Sequence, residues 1–232
     1  MNLNQNKVEL KLDWCSYQAA KYAVENWHYS KCMPVGKLVK IGVWEDKKYI
    51  GCVLFSNAVG AMSSKTYRLN NQEFVELVRI ALNKHCSTVS KIIAIAIKLL
   101  LSINKKLRLI VSYADPKEGH LGGVYQASNW VYVGTSTASV MYKVNGNIIH
   151  SRTANPNNKQ FGNKTKNIDL TGAIKFKAIP KYKYLMPLDS EMRKQIEPLR
   201  KPYPKKCATS IENDAAGFQP EKGGVIPTVA LH

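Results

Sequence analysis

The segment KHCSTVSKIIAIAIKLLLSI, residues 84–103, constrains the fold more than any other. It is too long and too apolar for a surface strand. From residue 88 onward its interruptions are mainly Ser90, Lys91, Lys98 and Ser102, which predicts a buried helix over 88–103 with Ser87 as its cap. Its most apolar part, 92–103, has 12 residues and is broken by Lys98. A bilayer span needs about 20, so no membrane partner is expected. EFVELVRIALN (73–83) before it and LRLIVSYAD (107–115) after it read as strands. The apolar run ahead of Ser112 suits a central place in a sheet.

The neighbouring segments fit the same layered plan. Ser16 can cap a helix running to about Asn26, with Ala19, Ala20, Ala23, Val24 and Trp27 as its packing stripe. KLVKIGVW and YIGCVLF, joined by the polar EDKK, read as a hairpin. A loose stretch rich in Ser and Asn follows, from about Ser56 to Asn71. GHLGGVYQASN is a short helix entered through glycines, WVYVGTS is a strand, and SVMYKVNGNIIHSR turns at Asn145-Gly146, a type I′ hairpin signal. The order predicts an α/β (α+β) domain with a single mixed sheet and helices on both faces.

Charge then narrows the class of partner. The chain has 34 Lys+Arg against 16 Asp+Glu, a formal +18, which calls for an anionic partner, with nucleic acid first. Residues 155–206 hold 13 Lys+Arg against 4 Asp+Glu, half of that excess. We therefore divide the chain into a core over 1–154, a basic extension over 155–206, and a Gly/Pro/Ala-rich tail over 207–232 expected to be disordered. Lys175, Lys177, Lys181 and Lys183 alternate, so an extended chain would place them on one face along a DNA backbone. Lys31 and Lys37 are further candidate DNA contacts. The five cysteines are irregularly spaced and include no CxxC, which argues against a disulfide framework or zinc ribbon. The N-terminus lacks a signal peptide's apolar core, so a cytoplasmic location is expected.

Three segments carry candidate chemistry. In NWHYSKCMP (26–34), His28 and Cys32 stand at i and i+4, and each can ligate a metal such as iron or zinc, though two ligands do not make a site. Tyr29 can move a proton if a partner takes it. In SYADP, Asp115 follows the end of a strand, where α/β sheets place ligands; it accepts a proton or orients an amine, or it caps the next turn. In GHLGGVYQASNW, Gly122 and Gly123 permit close backbone approach, while Tyr125 can line a site or pack. Ser87 and Ser90 open the long helix, where an acyl oxygen or phosphate could sit or ordinary capping could suffice.

HYSKCMP (28–34), ELVRIAL (76–82), SYADP (112–116) and GHLGGVYQASNWVYVG (119–134), taken in that order, resemble the GNAT acyltransferase fold and, more closely, the Mom family of phage DNA-modification proteins. The resemblance implies a GNAT-like core, an acyltransferase-like enzyme and the conversion of adenine in double-stranded DNA to N6-carbamoylmethyladenine. Such DNA is protected from restriction in the cytoplasm of the bacterial host. By motif, it implies catalytic roles for Tyr29, Ser90 and Asp115. A flipped adenine would stack on Trp27 or Tyr29, within a site that also includes His28, Ser112, Tyr113, Gly122, Gly123 and Tyr125.

The resemblance departs at one point. GNAT proteins carry a pyrophosphate loop of the form (Arg/Gln)-x-x-Gly-x-(Gly/Ala) after the strand matching ELVRIAL, whereas this chain has NKHCSTVS, without glycine. The donor is thus acetyl-CoA or a glycyl donor such as glycyl-tRNA, glycyl being an isomer of carbamoylmethyl; tRNA would then be a second nucleic-acid partner. Two rival functions are a conventional acetyl-CoA-dependent N-acetyltransferase and a non-catalytic nucleic-acid-binding protein on a degenerate GNAT scaffold.

Overall fold

The structure is a computed structural model that describes residues 8–34, 36–57, 66–154 and 168–205. The 207–232 tail, residues 155–167 of the basic extension and residues 58–65 of the loose stretch lie outside the described residues.

The chain opens with β1 (Leu10–Trp14), a short edge strand missing from the sequence reading because its Leu10 and Leu12 give too brief an alternation to stand out. Next, α1 (Tyr17–Trp27) starts where expected, with the Ser16 hydroxyl accepting the Ala19 N–H at 3.1 Å. The hairpin of β2 (Leu38–Glu45) and β3 (Lys48–Ser56) also forms. It leads to β4 (Phe74–Leu82), then α2 (Val89–Ile103), then β5 (Leu109–Ala114). The cap of α2 is Thr88 rather than Ser87: the Thr88 hydroxyl accepts the Lys91 N–H, and the Ser87 N–H is committed to Glu45. A four-residue helix, α3 (Gly123–Gln126), precedes β6 (Val131–Thr135). Then come β7 (Val140–Val144), β8 (Asn147–His150), the short α4 (Ser151–Ala154), β9 (Ile174–Lys177), β10 (Tyr182–Pro187) and α5 (Ser190–Ile196).

The main sheet has the order β1-β2-β3-β4-β5-β10-β6. Among the described residues of this sheet only β4 and β5 pair in parallel; every other neighbouring pair is antiparallel. Helices cover both faces, as expected. On one face Ile92, Ile93, Ala96 and Leu100 of α2 pack on Val53, Phe55, Val75 and Ile110. On the other, Ala20, Ala23 and Val24 of α1 meet Cys52 and Leu54, and Met192 and Ile196 of α5 meet Leu109, Val111 and Leu185. Among the described residues no helix is long and apolar enough to cross a membrane.

Three expectations are corrected. The strands do not form a single sheet: β8-β7-β9 make a second, three-stranded one. Its hairpin turns at Asn145-Gly146 as the type I′ signal predicts, both residues having positive φ. The core does not end at residue 154, because β10 lies between β5 and β6 and pairs with both. Lys175 and Lys177 therefore belong to the small sheet while Lys183 lies in the main one, so the four alternating lysines form no continuous row.

The place of β10 makes the extension part of the fold. Tyr184, Leu185, Met192 and Ile196 are fully buried. At about 1.5–3 kcal/mol for each buried side chain, removing them would cost about as much as the 5–15 kcal/mol total stability of an ordinary domain. A chain ending at Ala154 is predicted to show no cooperative melt by circular dichroism, whereas a chain ending at Lys205 is predicted to retain one.

Candidate active site

The site is made by a parting of strands. β4 and β5 pair from Phe74–Leu109 to Leu77–Ser112 and then stop. At that point β4 carries one extra residue against β3: Phe55 pairs with Leu77 and Leu54 with Arg79, leaving Val78 bulged between them. A bulge bends its strand and increases its twist, and β4 continues to Leu82 away from β5. Beyond the last pair opens a cleft of about 750 Å3, within the roughly 300–1,000 Å3 of ligand pockets. Leu77–Ile80 form one side, Tyr113–Asp115 and Gly119–Gln126 the other, and Trp27, His28 and Tyr29 line it as well.

The wall opposite β4 is held from beneath. Gly122 has φ +79°, and a methyl group there would overlap the Tyr184 ring, so glycine is required both by conformation and by space. The Tyr184 hydroxyl donates to the Leu121 carbonyl and accepts from Gln126 Nε2. Tyr125, a lining residue, packs between Trp130 and Tyr184, its ring tilted against theirs at 5.0 and 5.1 Å. Burial pushes its phenol up to about 12, so it stays protonated at neutral pH.

Asp115 caps the next turn, as one reading of its position has it, and it also lines the cleft. Its Oδ1 accepts the Lys117 N–H at 3.1 Å, capping the 3-10 turn Pro116–Glu118, while its Oδ2 meets Lys181 Nζ at 2.8 Å on the cleft wall. Lys181 comes from the segment entering β10, so the basic extension reaches the cleft. Tyr29 is 44% exposed, with its ring 4.2 Å from that of His28 and 5.4 Å from that of His120. The lining thus gathers apolar side chains, an aromatic group and a carboxylate that is ion-paired to Lys181.

Residues 9–205 match the family model described as Mom protein family. The chain belongs to the Mom family. The methylcarbamoylase mom of Escherichia phage Mu is 27% identical over 151 residues, covering 63% of this chain and 62% of that protein, a little under two thirds of the relative's length. Among solved structures, FeeM, an N-acyl amino acid synthase from uncultured soil microbes, aligns over 83% of this chain and 96% of its own, with TM-score 0.47 and 10% identity.

In this Mom-family chain the cleft brings together Trp27, His28, Tyr29, Tyr113, Asp115, Gly122, Gly123 and Tyr125 of the expected site. Other expected residues stand outside its lining. Ser112 is buried, with its hydroxyl 2.8 Å from the Leu77 carbonyl and 2.7 Å from the Tyr125 hydroxyl, so it supports the last strand pair and the wall. Ser90 Oγ donates to Thr88 Oγ1 at the start of α2. Lys31 Nζ donates to the Asn26 carbonyl, Lys183 Nζ lies 5.1 Å over the Tyr67 ring, and Lys37 is exposed. Arg79 and His85 line the cleft without having been singled out, and so does His120, which the sequence suggests is a structural or surface residue rather than a catalytic one. Arg79 had a signal, as one of two charges, with Glu76, within the otherwise apolar FVELVRIAL. Its Nε is buried without a hydrogen-bond partner among the described residues.

The metal reading loses its geometric basis. The helix ends at Trp27, so no helical turn joins His28 to Cys32. His28 Nδ1 accepts the Ser30 N–H at 3.1 Å and lies 2.8 Å from the Ser30 hydroxyl, which leaves the proton on Nε2. Among the described residues no three His, Cys, Asp or Glu side chains stand together as a ligand set. His28 is 8% exposed. Burial first, then the charges of Arg79, His120, Lys181 and Lys31, lower its pKa from 6.5 to about 4. A folded-state pKa below the unfolded one means that the unfolded chain takes up the proton first as pH falls. Wild-type stability relative to a His28→Gln chain is therefore predicted to decline progressively from pH 6.5 to about 4. Urea midpoints at successive pH values check this.

Proposed function

We propose that this Mom-family protein is a transferase with a GNAT-like core that modifies the N6 amine of adenine in DNA, the product being N6-carbamoylmethyladenine. The observation that carries this reading is the cleft beyond the parted β4 and β5, where Tyr29 and Asp115 share one lining and Lys181 is ion-paired to Asp115. The matched family model and the similarity to the phage Mu methylcarbamoylase support it.

An adenine inside a duplex cannot reach such a cleft, so the base is flipped out. Tyr29, with His28 and His120 beside it, offers an exposed aromatic face for stacking, and Trp27 offers a second at the same rim. N6 loses a proton when it bonds to the incoming carbon. Asp115 orients the amine and accepts that proton, with Lys181 balancing its charge, and Tyr29 relays a proton at the rim. Ser90, two residues into α2, serves from the helix start by positioning the donor end of the cleft. No step is routed through a metal.

DNA contact falls mainly to the small sheet. Lys175 stands opposite Tyr142 and Lys177 opposite Val140, so both lysines share one face with Tyr142. The strand leaving this sheet becomes the segment that carries Lys181 to Asp115, which joins a phosphate-binding face to the cleft mouth. Lys31, which donates to the Asn26 carbonyl beside Trp27, and the exposed Lys37 add to the basic surface. The donor carries its carbamoylmethyl group on a leaving group that departs with the bonding pair as N6 bonds to the methylene carbon. Glycyl-tRNA supplies the same atoms, but direct acyl transfer with release of tRNA gives the isomeric glycyl amide, so its glycyl unit must rearrange to yield this product. The modification protects phage DNA from restriction in the host cytoplasm.

Active protein expressed in a bacterial host is predicted to yield deoxyadenosine heavier by about 57 Da, the C2H3NO of one carbamoylmethyl group on a flipped base. Carbamoylmethyl, methylcarbamoyl and glycyl are isomers, so fragmentation and base stability must accompany the mass: an N-alkyl group survives mild alkali that cleaves a glycyl amide. Tyr29→Phe and Asp115→Asn keep shape and remove proton transfer, and each is predicted to lower modification by about 100-fold or more. Unmodified DNA from folded wild-type protein, or wild-type activity in both variants, contradicts the reading.

A further inference from the structure

In the GNAT proteins that the sequence resembles, the loop after the strand matching β4 seats the pyrophosphate of coenzyme A. Here that loop, Asn83–Thr88, meets a group from another part of the chain. The N–H of Cys86 donates to Glu45 Oε2 at 2.9 Å and the N–H of Ser87 to Glu45 Oε1 at 2.7 Å. Two successive backbone N–H groups in the loop just ahead of a 15-residue helix, whose N-cap is Thr88, can together hold a bound phosphate. A carboxylate held by both of its oxygens presents the same charge and the same paired acceptors.

Glu45 is fixed in that place. It ends β2, where its backbone is paired with Leu10 on one side and Lys48 on the other, and it is 7% exposed. Burial alone would raise its pKa, but the hydrogen bonds from Cys86 and Ser87 outweigh burial and hold it below the usual carboxylate range. The group is therefore an anion at neutral pH. A pyrophosphate entering this loop would find both N–H groups taken and would bring like charge against a fixed negative one.

We propose that Glu45 is the resident occupant of the anion seat at the start of α2, and the specificity-determining residue that bars a coenzyme A pyrophosphate from it. The group donor is accordingly held in the cleft by contacts other than this loop. The inference takes from the proposed function only that the cleft receives a donor. It separates this chain from the acetyl-CoA-dependent reading by a residue outside the sequence motifs that suggested the family.

Amide chemical shifts of the 15N-labelled full chain test it without reference to DNA modification. Inorganic pyrophosphate and coenzyme A are titrated separately, in enough salt to screen surface lysines. In the wild type, the Cys86 and Ser87 amides are expected to stay in place with both probes. In Glu45→Ala the same amides are expected to move saturably with pyrophosphate, with affinity at least about tenfold above wild type, since one like charge has left contact distance. Glu45→Gln keeps the side chain's shape and one acceptor and decides the matter if the alanine chain fails to fold; movement of its two amides with pyrophosphate is again the expected result. Saturable movement of Cys86 and Ser87 by coenzyme A in the wild type overturns the proposal. So does a folded Glu45 variant whose amides ignore pyrophosphate.

Discussion

One extra residue in a central strand separates β4 from β5, and the site depends on that separation. With Val78 bulged against β3, β4 leaves β5 after Leu77, and the last pair is closed from the side by the Ser112 hydroxyl on the Leu77 carbonyl. The bulge also changes which side chains face the gap. Arg79, the next residue along, lines the cleft. A parallel pair continued to the strand ends would have filled this space with backbone hydrogen bonds. Its interruption leaves an apolar floor with polar groups at its rim, a common arrangement for a ligand site.

The opposite wall depends on a strand from far along the chain. β10 enters between β5 and β6 and buries Tyr184 beneath the Gly122 turn, with the hydroxyl hydrogen-bonded to Leu121 and Gln126. The residue just before β10, Lys181, pairs with Asp115. The segment that looked like a separate basic appendage thus supplies structural support and a charge to the cleft. Its remaining lysines, Lys175 and Lys177, stand in the small sheet that leads into it.

Local features were readable in the sequence. The Ser16 cap, the long apolar helix, the β2-β3 hairpin and the Asn145-Gly146 turn are fixed by neighbours within a few residues. The NWHYSKCMP loop, the Asp115 strand end and the glycine turn, parts of which line the cleft, stood out for the same reason. The unread features are non-local. A bulge at Val78 has no Gly or Pro to mark it, because its cause is the pairing with β3. Ser87 and Thr88 are both capable caps; the Thr88 hydroxyl takes the role, while Ser87 is held in the preceding loop by Glu45, 42 residues before it. Lysine alternation across 175–183 suggested one row, but the chain leaves one sheet and enters another between Lys177 and Lys183.

The central claim is that a base enters the gap between the parted strands. Photocrosslinking tests it directly: a duplex carrying a photoreactive group on adenine N6 is irradiated with the wild-type protein, and the attached peptides are identified by mass spectrometry. The account predicts attachment within residues 27–29, 77–80 and 113–126. Attachment confined to the small sheet or to the outer face of α1, with none in those three segments, would contradict it.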